Sequence, residues 1–301
     1  MWPFYKLIIL IVFLSTFIMS QDTFSIVAVD PETGQVGSAG ASCIQGSVII
    51  SDIHPGIGGI HTQAYWNAIN QDSAASLMNQ GFSPDEIIDW LRNNDSQNDS
   101  SIRQYGIVDL VGEGRSAAFT GTNCDDYKGH RIGANYAIQG NILLGPSILD
   151  NMESAFINQY GSFEEKLIAS LMAANVSGAD TRCEPYGTPA ISAFIKIAKL
   201  DNSIDSLFLD LNVNNAALTL NPLDSLFSLY WHWKIDQFVL GDINFDSLIG
   251  INDIILLSDY VNGHQPINIY RYNPSDMNSN GDLEITDFYL LIYEVIGIVG
   301  V

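Results

Sequence analysis

Apolar and polar positions alternate from the start of the segment Thr23–Asp30. Phe24, Ile26 and Ala28 interleave with Ser25, Val27 and Val29. A period of two predicts a strand, and the valines on the second face predict burial on both sides. Asp30-Pro-Glu-Thr-Gly34 is a turn, and Gln35–Cys43 returns as a second strand whose small residues permit close backbone approach. Ser47–Ile53 reads as a strand, followed by a Gly-rich link through Gly56, Gly58 and Gly59 into another. Helical spacing then covers Asn67–Met78. Ser83-Pro-Asp-Glu86 opens a further helix reaching about Arg92, with Pro at the first helical position and an acid three residues after the Ser. Strands are expected at Gln104–Val111 and Ser116–Thr120, and residues 129–142 form a Gly-containing stretch ending in Tyr136–Asn141. Helices are expected at Pro146–Gln159 and Phe163–Ala174, strands at Ala190–Lys199 and Leu207–Val213, and a helix at Leu223–Trp233. Both strand groups are hairpin-like, so the class expected is α+β, with helices covering an antiparallel core sheet.

The C-terminal pattern is different. Two twelve-residue acidic loops, Asp242–Asp253 and Asp276–Asp287, are each followed by an apolar helical run, Ile254–Leu257 and Phe288–Ile296. Both carry side-chain oxygens at loop positions 1, 3, 5 and 12, a spacing that wraps a hard cation, with the backbone carbonyl of position 7 as a further ligand. The first set is Asp242, Asn244, Asp246, Asp253 and the Leu248 carbonyl. The second is Asp276, Asn278, Asn280, Asp287 and the Asp282 carbonyl, with Glu284 at position 9. The expected cofactor is calcium, two ions. The second loop keeps Gly281 at the turn and an oxygen at position 9, where the first has Ser247 and Gly250, so the second is expected to bind more tightly.

The chain has 301 residues and a net charge of −22, with 34 acidic against 12 basic side chains. That balance lacks the basic footprint of a nucleic-acid binder, so no nucleic-acid partner is expected. Residues 1–20 read as a secretory signal peptide: Lys6 flanks an apolar run, Leu7–Met19, and Ser20 is a plausible cleavage edge. An uncleaved anchor is the alternative. Export places the protein outside the cell or in the periplasm. Three cysteines, Cys43, Cys124 and Cys183, allow one disulfide and one thiol, or none paired, and any of the three pairings fits the sequence.

The paired loops resemble a dockerin type I module over residues 240–298, including Asp at position 12 where an EF-hand usually has Glu. That resemblance implies a small all-α calcium domain and a cohesin-like protein partner, read by loop positions 10 and 11. Here these are Ile251-Asn252 and Ile285-Thr286.

A second resemblance covers residues 22–215. The opening Thr23–Ala28, the Asp30-Pro-Glu-Thr-Gly turn, His61-Thr-Gln63, Tyr105–Asp109, Ala117–Gly121, Gly129-His130, Tyr136–Ile142 and Gly178–Arg182 look like the DUF 1028 family. The family is grouped with the N-terminal-nucleophile (Ntn) hydrolases. It therefore implies a four-layer αββα sandwich over residues 21–236, ahead of the calcium domain at 237–301. It also implies an amide-bond hydrolase acting on a small-molecule or peptide substrate. In such enzymes the first residue of the mature chain is the nucleophile and its α-amine the base. Thr23 is the candidate here. Signal cleavage after Ser20 leaves Gln21-Asp22 ahead of it, so either signal peptidase cuts elsewhere or a second step removes two residues. Proteasome-like members place a Lys downstream of the nucleophile, but this chain has none between Lys6 and Lys128. Arg182 would supply that charge, beside Asp180. His54, His61 and His130 are acid–base candidates, and Gln63, Gln139 and Asn141 are amide donors. The other reading is a non-catalytic ligand-binding or homo-oligomeric scaffold.

Overall fold

A computed structural model describes residues 23–235, 239–246, 248–267 and 269–297. The segment read as a signal peptide, Gln21-Asp22, the boundary at 236/237 and Ser247 lie outside the described residues.

Among the described residues, ten strands form two antiparallel sheets. The larger joins β1 (Phe24–Asp30), β2 (Gln35–Ser42), β7 (Gly129–Ile132), β8 (Tyr136–Gly140), β9 (Ser192–Ala198) and β10 (Leu209–Val213) in the order β10-β9-β2-β1-β8-β7. The smaller is β3 (Ser51–His54), β4 (Gly58–Ala64), β5 (Arg103–Asp109) and β6 (Arg115–Thr120), in sequence order. The sheets face each other, with β1 against β4 and β5. Helices α1 (Ala68–Asn79) and α2 (Pro84–Asn93) cover the smaller sheet. Helices α3 (Ser147–Asn158), α4 (Phe163–Ala173) and α5 (Pro222–Ile235) cover the larger. The layers therefore run helix, sheet, sheet, helix.

The alternation in β1 explains its central place. Phe24, Ile26 and Ala28 join Leu149, Met152, Leu167 and Leu171 in the core beneath α3 and α4. Val27 and Val29 turn the other way and meet Val36, Val108 and Ala137 between the sheets. Each large apolar side chain buried this way contributes about 1.5–3 kcal/mol. Close approach explains two glycines. A Cβ on Gly37 would lie 2.2 Å from Leu167 Cδ1, so α4 packs on bare backbone there. A Cβ on Gly106 would lie 2.0 Å from Gln139 Oε1, so that side chain crosses the gap between the sheets only because position 106 is empty.

The α2 start is as expected: Ser83 and Glu86 form a capping box around Pro84. Ser47–Ile53, expected as a strand, is a 3-10 turn at Ser47–Ile50 followed by β3. The chain leaves the larger sheet after Ser42 and joins the smaller at Ser51. Gly46, at φ 71°, makes the reversal that this crossing needs.

Beyond α5 lie α6 (Ile251–Val261), α7 (Ile269–Ser275) and α8 (Ile285–Val295). Helices α6 and α8 pack on each other, with Ile243, Leu257 and Leu291 fully buried between them. Each helix begins at loop position 10, Ile251 and Ile285, earlier than the runs Ile254–Leu257 and Phe288–Ile296 expected after the loops. The short α7, with Pro274 inside it, was not expected.

Candidate functional site

Thr23 stands immediately before β1, the strand with β2 on one side and β8 on the other. It is fully buried. Its N–H donates to Asn141 Oδ1 (3.2 Å), and its carbonyl accepts from Asn141 N (3.2 Å) and Gln63 Nε2 (3.3 Å). Its γ-hydroxyl is buried and has no hydrogen-bond partner among the described residues. An unsatisfied buried hydroxyl costs on the order of 1–3 kcal/mol, and such groups call for a functional or structural explanation.

The chain that leaves β8 carries the second part of the site. Thr181 N and Oγ1 both donate to the Ile142 carbonyl (3.0 and 3.1 Å), which seats the 180–182 turn beside Asn141. The fully buried Asp180 accepts from Arg182 Nε (3.0 Å) and Nη2 (2.6 Å), from Arg182 N (3.1 Å) and from Cys43 N (2.8 Å). Arg182 Nη2 also donates to Ser42 Oγ (3.4 Å) at the end of β2. A disulfide, Cys43–Cys183, ties the same turn to the same strand end, with Cα atoms 5.6 Å apart. Cys124 lies apart from it, buried, its thiol donating to the Arg103 carbonyl.

Behind Thr23 a chain of hydrogen bonds crosses the space between the sheets. Ser25 Oγ donates to Gln63 Oε1 (2.7 Å), Gln63 Nε2 to Gln104 Oε1 (2.7 Å), and Gln104 Nε2 to Thr120 Oγ1 (2.9 Å). Thr120 Oγ1 lies 2.8 Å from His130 Nδ1. On the other side Gln139 Nε2 lies 2.7 Å from Ser25 Oγ and 2.9 Å from His61 Nδ1, and His61 Nε2 lies 2.5 Å from Ser38 Oγ. With its proton on Nε2, His61 donates to Ser38 and accepts from Gln139 at Nδ1, which leaves Gln139 Oε1 buried without a partner among the described residues. Burial, and secondarily the charge of Lys196, push His61 down to about 3, so it is neutral at physiological pH. The structure thus brings Thr23, Gln63, Asn141, Asp180 and Arg182 to one strand end. His61 and Gln139 sit one layer behind, and His130 sits at the far end of the chain. His54 pairs with Asp52 (3.2 Å). Ser25, Ser38, Ser42 and Gln104 were missed in the sequence. Their only signal is polarity on strand faces that are otherwise apolar. A cleft of about 580 Å³ opens at the opposite end of β1, around Asp30, Glu32, Lys166 and Lys199, and Thr23 does not line it.

The acidic loops share most of their main-chain bonds; position 2 differs, Ile243 N donating to Asp253 Oδ1 (2.7 Å) where Met277 N donates to the Ser275 carbonyl (3.0 Å). The position-12 carboxylate (Asp253, Asp287) accepts from the N–H of position 3 (2.9 and 3.2 Å) and of position 9 (2.9 and 2.8 Å). Position 1 (Asp242, Asp276) accepts from the N–H of position 5 (3.0 and 3.1 Å). Asn244 and Asn278 accept from the same N–H (2.9 and 3.0 Å), while Asp246 and Asn280 each accept from the N–H of position 7 (2.8 Å). Position 4 is left-handed in both, Phe245 at φ 60° and Ser279 at φ 56°. In the first loop, carboxylate oxygens of Asp242, Asp246 and Asp253 lie within 4.8 Å of one another.

A family of unknown function, DUF1028, matches residues 23–224, two-thirds of the chain. The chain belongs to the DUF1028 family. The DUF1028 match begins at Thr23 itself and ends inside α5, short of both acidic loops. The crystal structure of the DUF1028 protein SPO2555 from Silicibacter pomeroyi is similar to this chain. The two are 28% identical with a TM-score of 0.58, over 70% of this chain and 88% of that one. No curated protein matches.

Proposed function

We propose that the DUF1028 region is an amide-bond hydrolase of the N-terminal-nucleophile class, with Thr23 as its nucleophile once the residues ahead of it are removed. The observation that carries this reading is the Thr23 hydroxyl, buried and unpartnered while its own main chain is fixed by Asn141 and Gln63. At a mature N-terminus the α-amine, titrating near ~8, takes the Oγ1 proton. Oγ1 bonds to the substrate carbonyl carbon, the C–N bond breaks, and the leaving amine carries the proton away. Water then cleaves the resulting ester. Arg182, oriented by Asp180, supplies positive charge near the strand end where related enzymes use Lys. Gln63 and Asn141 are the amide groups nearest the reacting centre. The substrate class is an extracellular peptide or amidated small molecule.

The paired loops complete the reading as a dockerin-like module with two calcium ions. The donor set fits: three carboxylates converge in the first loop, and such close like charges favour a cation between them. Ile251 and Ile285, at position 10 of each loop, are exposed, which suits contact with a cohesin-like partner. A second reading, a non-catalytic ligand-binding or oligomeric scaffold, is favoured by the complete burial of Thr23. Intact mass and N-terminal sequencing of the exported protein separate the two, combined with turnover of an amide panel by wild type, Thr23→Ala and Thr23→Ser. A chain beginning at Thr23, with hydrolysis lost in the Ala variant and retained in the Ser variant, supports the hydrolase. A chain beginning at Gln21 with no turnover sinks it and leaves the scaffold.

A further inference from the structure

The two acidic loops share a backbone but differ at position 4. Ser279 in the second loop is exposed, whereas Phe245 in the first is buried. The Phe245 ring packs edge-on against Trp231 of α5, with centroids 6.2 Å apart. Lys234 Nζ lies 4.9 Å from the ring centre, and the Arg271 guanidinium 5.7 Å. The same two cations hold the loop main chain: Lys234 donates to the Phe245 carbonyl (3.1 Å) and Arg271 to the Ile243 carbonyl (3.2 Å). Each is anchored on the first turn of α4. Lys234 pairs with Glu164 (2.5 Å) and donates to Ser162 Oγ (3.2 Å), and Arg271 pairs with Glu165 (2.7 Å). Glu165 also accepts from Ser162 N (3.1 Å), closing that turn. Helix α4 in turn lies on β2 through Leu167 and Phe163.

We propose that the first acidic loop is a calcium-operated clamp on the DUF1028 sandwich, acting through Phe245 and the Lys234–Glu164 and Arg271–Glu165 pairs. The inference rests on the calcium reading above. Its physical basis is position 245. A phenylalanine holds a left-handed backbone only when its surroundings fix it. Its neighbours Asn244 and Asp246 are the ligands at positions 3 and 5, so whatever orders them sets where the ring points. The second loop, with Ser279, has no such side chain to insert. Cation binding that orders the first loop is therefore linked to the order of α4, and free energy of binding appears as stability of the partner element.

The test uses the full chain. Calorimetry with calcium, and terbium luminescence, establish binding; amide hydrogen exchange with and without calcium then reads each segment. With calcium at ten times its Kd, exchange in the first turns of α4 should slow about tenfold. Phe245→Ser, which copies the second loop, should keep both binding signals and lose the protection of α4. Calcium that binds and protects only residues 239–297 overturns the clamp and leaves the calcium reading standing. No binding in either assay overturns both. The wild-type comparison decides the matter even where the variant folds poorly.

Discussion

His61 offers a test of the inter-sheet packing that needs no substrate. Its ring is fully buried, and its pKa is pushed down to about 3 by burial and then by Lys196. The unfolded chain binds this proton near 6.5; the folded chain refuses it until about 3. The folded pKa is depressed, so the stabilisation is complete above 6.5 and is lost as pH falls through that window. Each pH unit costs about 1.4 kcal/mol, so acidification to about pH 4.5 should remove roughly 2.7 kcal/mol through this one residue. Other groups titrate in overlapping or lower windows. Burial opposes ionisation of Asp95, but hydrogen bonds from Arg103 and Asn70 outweigh it and hold the carboxyl well below the usual range, so its contribution is lost only below about 3.8. Burial raises Glu165 against the pull of Arg271, which gives a trend of the opposite sign. The difference between wild type and His61→Gln cancels both. Urea unfolding at fixed calcium, followed by fluorescence between about pH 7 and 4.5, should show wild type losing about 1.4 kcal/mol per pH unit relative to the variant as pH falls below about 6.5. Imidazole resonances of wild type should likewise show no titration of His61 above about pH 4.5. A difference flat with pH, or a His61 titrating near 6.5, would refute the buried neutral ring and the tautomer assigned from it.

Two further outcomes are expected. Reduction of Cys43–Cys183 opens a loop of 140 residues, and chain entropy puts the loss at about 4–5 kcal/mol. Thermal unfolding with and without reductant should show a large fall in midpoint. Gly37→Ala places a Cβ 2.2 Å from Leu167 Cδ1 and 2.7 Å from Phe163 Cε1, and overpacking of this kind costs about 1–3 kcal/mol. A lowered denaturation midpoint with unchanged m-value checks it.

The parts legible in the sequence were those with a local cause. The period-two run Phe24–Val29 announced a strand buried on both faces. Ser83-Pro-Asp-Glu86 announced a capped helix, and the repeated acidic spacing announced two similar loops that share the bonds from positions 3, 5, 7 and 9. What stayed illegible depends on residues distant in sequence. Nothing near Cys43 selects Cys183 over Cys124; that choice is made by the fold, which brings residue 180 against residue 43. The Ser25–Gln63–Gln104–Thr120 chain joins four strands, and each member alone is an ordinary polar residue on a strand. Phe245 reads as an unremarkable apolar residue inside a loop until Trp231 and Lys234 are seen around it. The φ of 71° at Gly46 serves a crossing between sheets that no local pattern announces.

The geometry of Asp180 narrows what the Thr23 end can do. A carboxylate serving as a general base needs an oxygen open to the proton it takes. Here both oxygens are occupied: one accepts from Arg182 N and Nε, the other from Arg182 Nη2 and Cys43 N. The group is fully buried, so exchanging any of these bonds for a substrate proton would strand a donor or the charge itself. Asp180 is therefore placed as a positioning residue, one that fixes the guanidinium of Arg182 toward Ser42 at the end of β2. That leaves no side-chain base hydrogen-bonded to the Thr23 hydroxyl among the described residues. His61, the nearest buried imidazole in the network, has both nitrogens engaged with Ser25, Gln139 and Ser38. If Thr23 is a nucleophile, its own α-amine is the base that remains, and the reaction depends on freeing that amine. The DUF1028 match begins at that same residue.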